Sequence, residues 1–242
     1  MSRQLLYGRN PVHEALRARR RRIHRIWATT GAAREPWLAG ERVEPATGEE
    51  LEARAGTRDH QGVVAEADPY PYAELRDLLG GPDPLLVALD EVQDPQNVGA
   101  ICRTAEAAGA TGLVVPERRA AHVTPAVAKA SAGAVEHLPI AIVRNLADAL
   151  GEAREAGCWV YGAAAGGRTR YDAVDWKGGI VLVLGAEGRG LRPRVASSCD
   201  DLVSLPLRGH VESLNVSATA AVLLYAAVQG RDQPVDTGRK AP

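Results

Sequence analysis

Three polar side chains near the end of the 242-residue chain follow one another at intervals of two: Ser213, Asn215 and Ser217. They come after an apolar segment, 202–205, and a turn that contains Gly209. Hydroxyl and amide groups at such a place can cap the unpaired backbone N–H groups of the helix that follows. The same groups can serve a ligand-binding loop. This segment alone gives the two interpretations about equal weight, but two further polar, glycine-containing loops also follow apolar strands and favour a site.

The first of these loops follows the apolar segment 85–89 and contains Asn97, Gly99 and Arg103. Asn97 is a favourable N-cap for the helix that comes next, and Gly99 lets another backbone approach its first turn. Arg103 lies less than two helical turns after Asn97, so both side chains face one cleft if Asn97 points inward. A capping asparagine with a surface arginine remains the alternative.

The second loop, 185–191, has three glycines in six residues: Gly185, Gly188 and Gly190. Glycine leaves the backbone bare, so a ligand can lie directly against it. The order G-x-x-G-x-G differs from the dinucleotide fingerprint, no ribose-binding acid follows at the expected distance, and no GK[ST] phosphate loop is present. The sequence therefore argues against nicotinamide chemistry and nucleotide hydrolysis.

The segments from residue 85 onward alternate between continuous apolar strands and helices. Strands are predicted at 85–89, 112–115, 138–143, 158–163, 180–184 and 202–205, and helices at 98–109, 125–130, 145–156, 193–198 and 214–229. Such a pattern predicts an α/β fold with a parallel sheet covered on both faces. Ligands of these sheets bind beyond the carboxyl ends of the strands, which is where the three loops begin.

The first part of the chain, 1–67, predicts a smaller α/β domain. Asn10 and Pro11 are expected to open a helix, and Thr47 with Glu50 forms a capping box for another. A Pro- and Tyr-containing stretch predicts a linker over 68–84. The second domain is expected at 85–231, and a flexible tail at 232–242.

Composition limits the class of protein. No apolar run reaches the roughly 18 residues that cross a bilayer, and no signal peptide precedes the first charges. The three cysteines, Cys102, Cys158 and Cys199, have no C-x-x-C spacing, and the histidines show no metal spacing. We expect a cytoplasmic protein without a metal site or a disulfide framework.

The net charge of −1 conceals a basic N-terminal block. Between residues 3 and 34 the only acid is Glu14, and the block contains Arg9, Arg19, Arg20, Arg21 and Arg22 among its arginines. A basic block on a nearly neutral protein predicts a phosphate-facing patch, with a solvated helix end as the alternative.

Together the three loops resemble the motifs of the SpoU branch of the SPOUT RNA methyltransferases. The matching residues are Asp94-Pro-x-Asn97-x-Gly99…Arg103, Leu184-Gly-Ala-Glu187-Gly188-x-Gly190-Leu191 and Leu205-Pro-x-x-Gly209…Ser213-Leu214-Asn215-Val216-Ser217. They occur in order at family-like spacing, and the resemblance covers most of 85–230. The combination is specific, although each motif alone is weak.

The resemblance implies a catalytic domain whose C-terminal segment is threaded into a trefoil knot, a rare feature that periodicity does not show. It also implies S-adenosylmethionine as cofactor and a homodimer. The implied cofactor-binding residues are Gly185, Ala186, Glu187, Gly188, Leu205, Ser213 and Leu214, and the implied catalytic residues are Asn97, Arg103, Glu187, Ser213 and Asn215.

The implied reaction is attack of a ribose 2′-oxygen on a sulfonium methyl, which a dry pocket with fixed geometry favours. The family's candidate for activating the hydroxyl is Arg103. A guanidinium holds its proton strongly, so we expect Arg103 to clamp a phosphate, with the phosphate or solvent assisting proton loss. Whether Glu187 pairs with an arginine or touches RNA stays open.

The N-terminal part resembles the auxiliary domain of the 23S ribosomal RNA guanosine 2′-O-methyltransferases, which is similar to ribosomal proteins that bind kinked RNA. The similar segments are Tyr7-Gly8-Arg9-Asn10-Pro11-Val12 and His60-Gln61-Gly62-Val63. This favours ribosomal over transfer RNA. The expected RNA contacts are Arg9, Arg19, Arg20, Arg21, Arg22 and Lys129.

Two alternatives remain at this stage. One is another RNA target, either a tRNA loop or an antibiotic-resistance nucleotide of 23S RNA. The other, from a different class, is a catalytically silent RNA-binding or ribosome-assembly protein with the same folds. Retention of the five implied catalytic residues together argues against the silent protein.

Overall fold

A computed structural model describes residues 3–232. Its N-terminal part is a four-stranded sheet with the strand order β1-β4-β2-β3, in which only β2 and β3 run parallel. The elements are β1 (Gln4–Tyr7), α1 (Arg9–Ala18), β2 (Ile23–Ala28), β3 (Val43–Pro45), α2 (Gly48–Ala55) and β4 (Val63–Ala67).

The start of α1 differs from the sequence expectation. The helix begins at Arg9 with Gly8 as its N-cap, so Asn10 is already its second residue. Gly8 has φ +95°, which lets the chain turn sharply out of β1, and its N–H donates to the Val63 carbonyl. The capping box of α2 is confirmed: the Glu50 N–H donates to Thr47 Oγ1, and the Thr47 N–H donates to the Glu50 carboxylate.

The second part contains a sheet that has, within residues 3–232, seven parallel strands in the order β7-β6-β5-β10-β8-β11-β9. The strands are β5 (Leu85–Asp90), β6 (Gly112–Pro116), β7 (Ile140–Val143), β8 (Trp159–Ala163), β9 (Thr169–Arg170), β10 (Ile180–Gly185) and β11 (Asp201–Ser204). The helices are α3 (Leu75–Leu79), α4 (Pro95–Ala107), α5 (Pro125–Ala130), α6 (Leu146–Glu155), α7 (Pro193–Ala196) and α8 (Val216–Asp232).

The predicted α/β class and the six predicted strands are confirmed, and two-residue β9 was not foreseen because it is too short to leave a pattern. Helices cover both faces of the sheet. On one face Leu182 and Leu184 pack in a cluster with Leu223 of α8, and on the other Val181 packs in a cluster with Leu150 of α6. Burial on both faces explains why the strands read as continuous apolar runs.

Helix α8 packs against both α4 and β10, so the last helix lies over the helix that follows β5. The threading of this segment through a knot stays a prediction. No helix within residues 3–232 is long and apolar enough to cross a membrane. The expected flexible tail lies, from residue 233, outside the described residues.

The two sheets are joined through a buried ion pair. Arg21, two residues before β2, donates to both carboxylate oxygens of Glu136, from Nε at 3.0 Å and from Nη2. Each side chain is only 1% exposed. Arg21 also donates to the side chain of Gln4 at 2.7 Å. The junction continues at Tyr70, whose buried hydroxyl donates to the Leu138 carbonyl at 2.6 Å. Part of the predicted linker is therefore packed structure.

Replacing Arg21 by alanine should lower the free energy of unfolding by about 3–5 kcal/mol, because it leaves the Glu136 carboxylate buried and unpaired. Arg22 is the matched control, since it is the adjacent arginine and is exposed. Arg22→Ala should change stability by less than about 0.5 kcal/mol. Urea denaturation of both variants makes the comparison, and equal losses would contradict this account of the junction.

Candidate active site

The three polar loops meet at the side chain of Asn215. Its amide nitrogen donates one hydrogen bond to Asn97 Oδ1 at 2.9 Å and another to Glu187 Oε1 at 2.7 Å. Asn97 lies in the first loop, Glu187 in the glycine loop and Asn215 in the third. The amide group of Asn215 is thus bonded to two residues that precede it by 118 and 28 positions in the sequence.

Asn215 also caps α8. Its Oδ1 accepts from the Ser217 N–H at 2.8 Å and from the Ser217 hydroxyl at 2.6 Å. The helix therefore begins at Val216, two residues later than the predicted start at Leu214. The two interpretations of this segment, a helix cap and a ligand-binding loop, are compatible. The oxygen of Asn215 caps the helix, while its nitrogen donates to the other two loops.

Beside this junction lies a cleft of about 790 Å³ at the carboxyl ends of β10, β8 and β11. All seven residues expected to bind the cofactor line it, namely Gly185, Ala186, Glu187, Gly188, Leu205, Ser213 and Leu214. The wall is mostly glycine, alanine and leucine. Its charged side chains are Glu187, Arg189 and Glu212, which leaves one net negative charge.

The glycine loop folds back on itself at the edge of this cleft. The Gly190 N–H donates to the Ala186 carbonyl at 2.8 Å, and Gly188 and Gly190 have φ of +74° and +66°. A Cβ at Gly185 would collide with the backbone of Gly190 and come within 2.5 Å of the Leu191 nitrogen. Residue 185 must therefore be glycine, because the backbone of Gly190 passes close to it where the loop folds back.

Asn97 is placed differently from the sequence expectation. The N-cap of α4 is Asp94, whose Oδ1 accepts from the Gln96 N–H at 3.0 Å. Asn97 lies inside the first turn and is only 7% exposed, so its amide serves Asn215 instead of the helix end. The expectation for Gly99 is confirmed: a Cβ there would come within 2.8 Å of the Ser131 nitrogen beside α5.

Asn97 does not line the cleft, and neither does Arg103. It is exposed on α4, is not among the residues that line the cleft, and forms no hydrogen bond or ion pair with the described part of the chain. Helical geometry explains this, because six residues rotate the side chain by about 600°, which points it well away from Asn97. The adjacent Cys102 is fully buried, and burial raises the pKa of its thiol to about 12.

Sequence reasoning missed an ion pair beside the junction, between the buried Asp90 and the partly exposed Arg192. Asp90 at the end of β5 is completely buried and accepts from the backbone N–H of Arg192 at 2.8 Å and from its guanidinium at 2.7 Å. This ties the end of the glycine loop to the strand before the first polar loop. The sequence signal that could have indicated this pair is an acidic residue directly after a fully apolar strand. Burying a carboxylate there without a partner costs free energy, so a partner is expected.

The residues expected to contact RNA are in different environments. Arg19 and Arg22 are exposed, and exposed Arg9 forms an ion pair with Glu35 at 2.6 Å. Arg20 and Arg21 need correction. Arg21 is buried against Glu136, and Arg20 donates to the carbonyls of Leu138 and Pro71 at the domain junction. Their guanidinium groups are used to hold the two sheets together.

Lys129 is at the same junction, on α5. Its Nζ would lie 2.7 Å from a Cβ at Gly8, so the glycine leaves room for the lysine beside the start of α1. Desolvation by burial lowers the pKa of this lysine, and Asp59 opposes the shift. Ser213 is exposed at the wall of the cleft and has no hydrogen-bond partner within residues 3–232.

Comparison with known proteins decides the family. Residues 84–225 match the model of the SpoU rRNA Methylase family, and residues 5–73 match the model described as RNA 2′-O ribose methyltransferase substrate binding. The chain belongs to the SpoU rRNA methylase family. The resemblance of the three loops and the resemblance of the N-terminal part are both confirmed.

Relatives match over nearly the whole chain. The putative TrmH family tRNA/rRNA methyltransferase YacO of Bacillus subtilis (strain 168) is 40% identical over 96% of this chain and 98% of its own length. The 23S rRNA (guanosine-2′-O-)-methyltransferase RlmB of Pseudomonas putida (strain KT2440) is 39% identical over 93% of this chain and 96% of its own. RlmB of Ralstonia nicotianae is 46% identical over 80% and 79%.

Solved structures show the same two-part architecture. The SpoU methyltransferase AviRb from Streptomyces viridochromogenes, in complex with AdoMet, has a TM-score of 0.77 and 28% identity over 93% of this chain and 89% of its own. The AdoMet-bound rRNA methyltransferase from Sinorhizobium meliloti has a TM-score of 0.79 and 28% identity over 94% and 87%.

Asn215→Asp should separate the two tasks of this residue. The aspartate oxygen can still cap α8, so the start of the helix should be kept. The carboxylate cannot donate to Asn97 Oδ1 and would repel Glu187. We expect methyl transfer to fall by about tenfold or more, since a hydrogen bond to a charged group is worth roughly 1.5–3 kcal/mol.

Ser217→Ala is the matched control for that variant. It removes the Ser217 hydroxyl contact with Asn215 Oδ1 and leaves both bonds donated by the amide nitrogen. Steady-state rates and melting curves of the two variants should be measured side by side. Equal losses of rate would contradict the assignment of the junction.

Proposed function

We propose that this chain transfers a methyl group from S-adenosylmethionine to the 2′-hydroxyl of a guanosine in 23S ribosomal RNA. The observation that carries the proposal is the meeting of the three SpoU motifs at Asn215, beside a cleft formed by the second and third. The RlmB relatives that align over most of the chain support the substrate, and the AdoMet-bound structural neighbours support the cofactor.

The cleft fits the proposed cofactor. Its volume of about 790 Å³ lies in the range of roughly 300–1,000 Å³ that is usual for small-molecule sites. The bare backbone from Gly185 to Gly190 offers hydrogen-bonding groups to the cofactor. The alanine and leucine side chains of the wall suit a flat, apolar part of the cofactor. The net negative charge of the lining suits a cationic ligand. We assign Gly185, Ala186, Glu187, Gly188, Leu205, Ser213 and Leu214 to its binding.

S-adenosylmethionine supplies, when bound, an electrophilic methyl group on a sulfonium centre. The protein must fix the ribose in line with that methyl group and exclude water from the approach. We assign the orienting role to the Ser213 hydroxyl, which lies at the wall of the cleft and has no hydrogen-bond partner among residues 3–232. Asn97 acts through Asn215, because it is buried and its oxygen is occupied there.

Glu187 and Asn215 form the fixed edge of the reaction site. The Asn215 amide holds one oxygen of the Glu187 carboxylate, so the negative charge stays in a defined place at the cleft wall. A carboxylate that is already positioned can stabilise the positive charge of a bound sulfonium without reorganisation. We assign Glu187 and Asn215 to this electrostatic and positioning role.

Arg103 is assigned to the RNA backbone instead of proton abstraction. Its exposed guanidinium is available for a phosphate, and a guanidinium is a poor proton acceptor. A phosphate clamped by Arg103 would fix the target nucleotide relative to the cleft. The proton of the 2′-hydroxyl would pass to that phosphate or to solvent.

The two-domain architecture supports ribosomal RNA as the target. The substrate-binding model matches residues 5–73, outside the catalytic part. By contrast, the A. aeolicus TrmH/SpoU tRNA modifying enzyme aligns with only 64% of this chain, at 27% identity and a TM-score of 0.55. Arg9, Arg19, Arg22 and Lys129 remain our candidates for contacts with that RNA.

A homodimer in the cytoplasm completes the proposal. Val222 and Tyr225, three residues apart on α8, are 40% and 46% exposed, so this helix keeps an apolar outer face that a second copy would cover. The three cysteines are free thiols, as a reducing compartment requires.

Arg103→Ala should reduce methyl transfer to RNA by at least about 100-fold, because the phosphate clamp is worth several kcal/mol in a positioned complex. Binding of S-adenosylmethionine, followed by calorimetry, should stay close to wild type, since Arg103 does not line the cleft. A variant that keeps full turnover would show that the role of Arg103 is wrongly assigned.

The proposed function is tested by offering labelled S-adenosylmethionine with unmodified 23S RNA, 16S RNA and bulk tRNA, and by mapping the product with nucleases. Label on one guanosine ribose of 23S RNA is the expected result. Label in tRNA would preserve the reaction and overturn the substrate. Absence of label from all three, with tight RNA binding, would favour a catalytically silent RNA-binding protein.

A further inference from the structure

An exposed aromatic stack lies on the outer side of the N-terminal domain, apart from the cleft. The rings of His13 on α1 and Trp37 in the connection between β2 and β3 are parallel within 24°, with centroids 5.0 Å apart. The His13 side chain is 40% exposed, and Trp37 is half-buried. Neither residue has a role in the proposed reaction.

Two arginines flank this stack along α1. Arg9, His13 and Arg17 follow one another at intervals of four, so they form one stripe on the helix surface, with about 6 Å between successive members. The side chains of Arg9 and Arg17 are 47% and 70% exposed. The stripe therefore presents a cation, an aromatic pair and a second cation in line.

The stack is held in place by the loop that carries Trp37. The next residue, Leu38, is buried at 3% exposure and anchors the loop in the core. On the other side, Glu35 accepts from Arg9 Nη1 at 2.6 Å and ties the loop to α1. An aromatic surface that is already ordered loses little conformational entropy when a ligand binds to it.

Trp37 has an indole N–H donor that none of the described residues uses. The indole N–H groups of Trp27 and Trp176 donate to Glu44 and to the Tyr171 carbonyl, at 2.9 and 3.1 Å. The indole of Trp37 has no acceptor within residues 3–232, and its nitrogen is not among the buried unpaired atoms there. A solvent-facing donor at the rim of a stacked pair is suited to an acceptor on a nucleotide.

We propose that the surface formed by Arg9, His13, Trp37 and Arg17 binds an unpaired segment of the substrate RNA, with one base stacked on the His13–Trp37 pair and phosphates at the two arginines. The proposal rests on the proposed function only in taking RNA as the substrate. Single-stranded RNA is recognised by aromatic stacking platforms within basic surfaces, because every base has a π-face.

Charge complementarity favours RNA as the occupant. Residues 3–35 contain nine arginines and two acids, Glu14 and Glu35. Glu14 is engaged by His137 at 2.7 Å and contacts Arg17 at 3.5 Å, while Glu35 is engaged by Arg9. Arg20 and Arg21 are engaged at the domain junction, but the other seven arginines of this segment still outnumber its two acids. The segment that carries the stripe is therefore electropositive and suits a polyanion.

The first test measures binding of the full-length protein to an unmodified 23S RNA transcript at fixed salt. Trp37→Leu should weaken binding about 5- to 150-fold, the range that corresponds to loss of one base stack at roughly 1–3 kcal/mol. Trp159→Leu is the matched control, since Trp159 is another exposed tryptophan stacked on a ring, at Tyr161, and lies outside the stripe.

Trp37→Phe, which preserves a stacking surface, should retain most of the affinity. Binding of S-adenosylmethionine should be unchanged in all three variants. His13→Ala serves if Trp37→Leu does not fold, because His13 is exposed and carries no hydrogen bond within the described residues; it should weaken RNA binding in the same direction. Equal RNA affinities of the Trp37→Leu and Trp159→Leu proteins would overturn the proposal.

Tryptophan fluorescence gives a readout that a purely structural role would not move. RNA should quench the wild-type emission, and the quench should disappear in Trp37→Phe but persist in Trp159→Phe. If the RNA is bound with this quench and never methylated, the proposed function fails and the stacking site stands. If it is methylated with neither quench nor affinity loss in the variants, the stacking site alone fails.

Discussion

The candidate site depends on one amide group. The nitrogen of Asn215 has two hydrogens, and it gives one to the first SpoU motif at Asn97 and the other to the second at Glu187. Its oxygen is occupied at the start of α8. Each hydrogen-bonding position is therefore engaged by a different element. Such a fully used amide fixes the relative placement of three loops, which apolar contacts alone would leave less defined.

The order and register of the strands bring the first two loops close together. Asp90 and Gly185 are register partners at the ends of β5 and β10, so the first two loops leave the sheet side by side. The third loop leaves β11, which is separated from β10 by β8, and must cross back to reach them. The ion pair of buried Asp90 with Arg192 holds the return of the glycine loop against β5. These contacts keep the cleft walls in position.

Much of this arrangement could be predicted from the sequence, because periodicity and capping are local. The parallel sheet, the capping box at Thr47 and the loop positions follow from short-range patterns, and the lining of the cleft from the motif resemblance. The misplaced residues depend on contacts between distant segments. Arg21 looks like a member of a basic patch until Glu136, 115 residues later, is seen beside it. Asn97 looks like a cap because its partner, Asn215, lies 118 residues later.

The central claim is that Asn97 and Asn215 act as one unit in the reaction. It is tested most directly by a double-mutant cycle on methyl transfer to 23S RNA, with Asn97→Ala, Asn215→Asp and the combined variant. Because the two side chains share a hydrogen bond, the double variant should lose little more activity than the worse single variant, with a coupling of about 0.5–3 kcal/mol. Strictly additive losses would show that the two residues act independently and would contradict the account.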